Sequence, residues 1–80
     1  MKSATELKNL HKRIELLTSQ LKLVMIEIDE VDSIENKTKD ETKHLAKLRQ
    51  LQSSLIYDIR GRKMDFRDLK EVVISEIINS

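Results

Sequence analysis

Apolar residues recur at Leu7, Leu10, Ile14, Leu17, Leu21, Val24, Ile28 and Val31, alternating steps of three and four. An α-helix gathers such positions into one stripe, whereas a strand would scatter them over both faces. The pattern is that of a coiled-coil seam and predicts a first helix over about residues 4–34. Ser3-Ala4-Thr5-Glu6 has the form of a capping box, which would start that helix at Ala4. The stripe stops at Glu35-Asn36-Lys37, where Asn36 suits the left-handed conformation that ends a helix. Thr38-Lys39-Asp40-Glu41 then repeats the capping-box signature and predicts a second helix over about 39–60. So short a connector between two helices implies an antiparallel αα-hairpin.

The second segment presents Leu45, Leu48, Leu51, Leu55, Ile56 and Ile59 within about 140° of arc, the face expected to meet the first stripe. Gly61 then stands where a helix would end, and Asp65 can cap a new one with Asp68 three residues on and a Met64–Leu69 staple. This predicts a third helix over about 66–79. The counter-reading is one helix running through Gly61 at a cost of about 1 kcal/mol, because Phe66, Leu69, Val73 and Ile77 continue the phase of Leu48, Leu55 and Ile59. A broken third helix would fold back to cover the end of the first; an unbroken one would overshoot it by two to three turns.

Composition narrows the class. Eighty residues with one Gly, no Pro, no Cys and 36% charged residues make a single all-α domain, since a sheet would need turn residues that are missing. So short a chain buries a modest core, and oligomerisation into a larger bundle would help it. No run reaches the roughly 18 apolar residues of a membrane span, and no charged start followed by an apolar block reads as a signal peptide. A cytoplasmic location is the expectation, compatible with the missing cysteines. The net charge of +1 leaves nucleic-acid binding to a local patch rather than to bulk electrostatics.

Candidate chemistry is sparse. Glu41 and His44 have the Glu-x-x-His spacing that ligates metals in helical bundles, with Glu27 or Glu30 as a further carboxylate, but they sit in a lysine-rich first turn where Glu41 already has a capping role. His11 has no Ser, Cys or second His at helical spacing to form a nucleophile–base pair. The acidic run from Glu27 to Asp32 lacks surroundings that would separate its pKa values, and one Gly cannot form a phosphate loop. The expectation is therefore no enzyme, no catalytic residue, no metal and no cofactor.

Two surfaces remain for binding. Arg60, Arg62, Lys63 and Arg67, with Lys70 beyond, form a basic cluster around the only Gly, diluted by Asp58, Asp65 and Asp68 and poor in aromatics for base stacking. Leu16, Leu23 and Ile26 lie off the main stripe of the first helix, and Ile74 and Ile78 widen the third. These apolar residues either form an oligomer or partner interface or fill the core of a three-helix bundle. The sequence thus points to a small helical protein-interaction module, an adaptor, inhibitor or regulatory subunit that forms homo-oligomers and meets a protein partner with an acidic surface. The alternative is a nucleic-acid-binding regulator that uses Arg60–Lys63, with the coiled coil as dimeriser. The first helix is also basic early (Lys8, Lys12, Arg13) and acidic late (Glu27, Asp29, Glu30, Asp32), against its own dipole, so cations from Lys37, Lys39 or Lys43 should compensate.

Overall fold

Alternating three- and four-residue apolar spacing drives both helices of the computed structural model, which describes residues 2–79. Helix α1 spans Lys2–Asp32 and helix α2 spans Lys39–Asn79. They pack antiparallel into a rod 64 × 15 × 14 Å. The alignment is marked by contacts of Asp32 with Arg49, Glu27 with His44, His11 with Phe66 and Ser3 with Glu76, from the connector to the open end. The predicted α1 seam is the core stripe: Leu17 and Val24 are buried, and Leu21, Ile28 and Val31 pack against the central cluster. On α2 the buried set is Leu45, Leu48, Leu55 and Ile59.

The connector between the helices is closed locally. Thr38 and Glu41 form the predicted reciprocal box: the Glu41 N–H donates to Thr38 Oγ1 at 3.1 Å, and the Thr38 N–H donates to Glu41 Oε1 at 3.0 Å. The end of α1 departs from expectation, because no described non-glycine residue, Asn36 included, has a positive φ. Lys37 caps it instead, its Nζ donating to the backbone oxygens of Asp32 at 3.0 Å and Ile34 at 2.8 Å. A cation on the last carbonyls satisfies them and complements the helix dipole together.

Four further expectations are corrected. The third helix does not exist as a separate element, since α2 continues through Gly61. A helical Gly costs about 1 kcal/mol. Continuation keeps Phe66, Leu69 and Val73 half-buried along α1, and full burial of such side chains contributes about 1.5–3 kcal/mol each. Packing therefore outweighs the penalty, and Asp65 lies inside a helix instead of capping one. The overshoot is small as well, because Ser3 Oγ donates to Glu76 Oε1 at 3.0 Å and only the last few residues of α2 lie beyond. Ser3 also loses its predicted capping role, because α1 already includes Lys2 and Ser3 lies inside the helix. Finally, Leu51 is exposed while Gln52 takes the inward position, because the steps of three and four from Leu45 and Leu48 lead to 52 and 55.

Candidate interaction surfaces

Helix phase decides which side chains face outward. On α1, Leu16, Leu23 and Ile26 lie about 100–170° from the seam, and the structure leaves them 49%, 68% and 55% exposed. With Ser19 they read 16, 19, 23 and 26, a second stripe with its own three-four-three spacing. Among the described residues no helix covers it, so the three-helix-bundle alternative is not realised in the hairpin. Ile74 and Ile78 are also exposed, along with Ile77, near the end of α2. Their predicted positions all lie outside the core.

The basic cluster is rearranged by the continuity of α2. With no break at Gly61, Arg60, Lys63, Arg67 and Lys70 recur at steps of three, four and three and share one side of a straight helix. Arg62 lies elsewhere: it is half-buried at the seam position after Ile59, and its Nε donates to Asp58 Oδ1 at 2.9 Å. Arg67 stands 3.8 Å from Asp68, a well-exposed contact of little energetic weight. The four predicted residues are therefore divided, and Lys70 joins the three that stay together. The signal was present in the spacing, but it has meaning only once the helix is known to be unbroken.

At the connector, the acidic end of α1 meets polar side chains of α2 as well as Lys37. Arg49 Nη2 lies 3.6 Å from Asp32 Oδ1, and His44 Nε2 lies 2.9 Å from Glu27 Oε1. Of the expected compensating lysines Lys37 takes that role, joined by Arg49; the antiparallel register of a short-connector hairpin is the signal that finds Arg49 and that sets His44 against Glu27. The carboxyl of Glu41 is held below the usual glutamate range, first by the backbone N–H of Thr38, then by the Thr38 hydroxyl and the nearby Lys37 cation. Glu41 and His44 thus have separate partners and do not converge. Among the described residues no group of three or more His, Cys, Asp or Glu side chains is placed to hold a metal ion.

His11 pairs with Glu15 at 2.8 Å and lies against Phe66, the ring centroids 5.7 Å apart. A shallow depression beside it is lined by Ala4, Leu7, Lys8, His11 and Phe66. A second one, lined by Tyr57, Asp58, Gly61, Arg62 and Asp65, lies where Gly61 has no side chain. Among the described residues no helix is long and apolar enough to cross a membrane. Compared with known proteins, the chain matches no family model, no curated protein and no solved structure.

Proposed function

We propose that the protein is a small helical interaction module of the cytoplasm, an adaptor, inhibitor or regulatory subunit that acts by binding protein and performs no catalysis. The observation that carries this reading is the outer stripe of α1. Single exposed apolar residues are ordinary. Leu16, Leu23 and Ile26 instead line up along one helix face after the seam has taken all the apolar residues it needs. The basic side of α2, Arg60, Lys63, Arg67 and Lys70, supports a partner with an acidic surface. The same unbroken stripe supports the second reading, contact with nucleic-acid phosphates.

Leu23→Glu tests the first reading, since it changes the outer stripe and leaves the seam intact. Helix content by circular dichroism should stay near wild type, while self-association and capture of protein partners are lost. If the variant retains every protein that wild type binds, the stripe is not the binding surface. Replacing Arg60, Lys63 and Arg67 by Ser separates the second reading. An oligonucleotide complex that weakens steeply with salt and disappears in this variant would favour phosphate contact, because each neutralised phosphate releases counterions.

A further inference from the structure

Resting on the reading that the chain works by binding protein, we propose that the occupant of the outer stripe is α1 of a second copy, packed antiparallel to give a four-helix dimer. The stripe extends at both ends by one further step of four, to Lys12 and Glu30, so that it reads Lys12, Leu16, Ser19, Leu23, Ile26, Glu30. Its steps, four, three, four, three, four, are the same in both directions. An antiparallel two-fold pair therefore matches every level: Leu16 with the partner's Ile26, Ser19 with the partner's Leu23, Lys12 with the partner's Glu30. Leu16 and Ile26 then meet as two large side chains, Leu23 lies over the small Ser19, and each end closes on opposite charges.

A parallel pair has the opposite outcome. It sets Lys12 against Lys12 and Glu30 against Glu30, and leaves a gap where two Ser19 side chains face each other. The charge order of the whole helix makes the same choice. Lys8, Lys12 and Arg13 occupy the early half of α1, and Glu27, Asp29, Glu30 and Asp32 the late half. That order is unfavourable to the helix's own dipole, yet in an antiparallel pair it sets each basic half against an acidic half and opposes the two dipoles as well. Within the hairpin, α2 and the connector reach Glu27 and Asp32, whereas Lys12 and Glu30 are exposed on the outer side.

The natural chain has no cysteine, so single-cysteine variants report orientation without background. Leu16→Cys and Ile26→Cys proteins, mixed under oxidised glutathione, should form a disulfide-linked heterodimer, and either variant alone should remain uncross-linked. In the antiparallel pair two copies of residue 16 lie ten residues apart along the axis, about 15 Å, beyond the roughly 7 Å that a disulfide spans. Cross-linking of Leu16→Cys with itself at a comparable rate would show parallel contact and overturn the proposal. A charge test reads the same geometry: Lys12→Glu should weaken dimerisation by roughly tenfold, and adding Glu30→Lys to the same chain should restore it. Failure of the second change to restore the dimer counts against the register. A wild type that sediments as a monomer at every soluble concentration overturns the second copy as occupant. The binding-module reading survives that result if capture of other proteins still depends on Leu23, and falls if it does not.

Discussion

The two halves of the hairpin are built from similar residues and packed to different depths. From the connector to Leu17 and Ile59, the seam contains every buried side chain, Leu17, Val24, Leu45, Leu48, Leu55 and Ile59 among the described residues, with Leu21, Ile28 and Val31 half-buried between them. From there to the open end, Leu7, Leu10, Ile14, Phe66, Leu69 and Val73 are only half-buried. Arg62 stands at the boundary, occupying a seam position that an aliphatic residue would fill more tightly. The connector half also has the Lys37 cap, the Thr38–Glu41 box and the pairs of Glu27 and Asp32 with α2. The open half is tied by the Ser3–Glu76 bond and the His11–Phe66 contact, between residues far apart in sequence. A contact near the connector closes a short loop and costs less chain entropy than one near the termini, so stability in a two-helix rod is graded along its length.

The largest expected effect contrasts the two halves directly. Leu17→Ala, at a side chain only 2% exposed, should destabilise by about 2–5 kcal/mol and threaten folding. Leu69→Ala, in the half-buried open end, should cost clearly less by the same thermal or urea melt. Equal costs would mean that the halves are packed alike and that the gradient is absent. Gly61→Ala sharpens the boundary between them. A Cβ there meets nothing within 4 Å, so the change should stabilise the helix by about 1 kcal/mol. A drop in melting temperature would instead indicate that α2 needs a break at this point.

The smallest effect belongs to the connector. Thr38→Ala removes the hydroxyl acceptor of the box and should cost about 0.5–1 kcal/mol at neutral pH. Because the folded protein holds the Glu41 carboxyl below its ordinary range, that carboxylate favours the folded state above the ordinary range, and the contribution disappears as pH falls through the lowered value. The wild-type advantage over Glu41→Gln, which removes the carboxylate that the Thr38 N–H holds, should therefore shrink on acidification. Urea melts at neutral and acid pH check this, and an advantage that grows at low pH would contradict the box as the cause.

Much of this architecture is encoded in short windows of sequence. The α1 stripe from Leu7 to Val31, the all-α class, the hairpin and the Thr38–Glu41 box all follow from spacing and local hydrogen-bonding rules, which act over one or two helical turns. The apolar surplus at Leu16, Leu23 and Ile26 was also visible, because periodicity alone places those residues off the seam. Tertiary structure decided the rest. Whether α2 breaks at Gly61 turns on a local penalty of about 1 kcal/mol against packing supplied by a helix tens of residues away in sequence. No local signal at Asp65 contains that comparison. The exposure of Leu51, the inward place of Arg62 and the reach of Ser3 to Glu76 depend likewise on the register of α1 against α2. That register is a sum of weak contacts along the rod, and only the paired helices determine it.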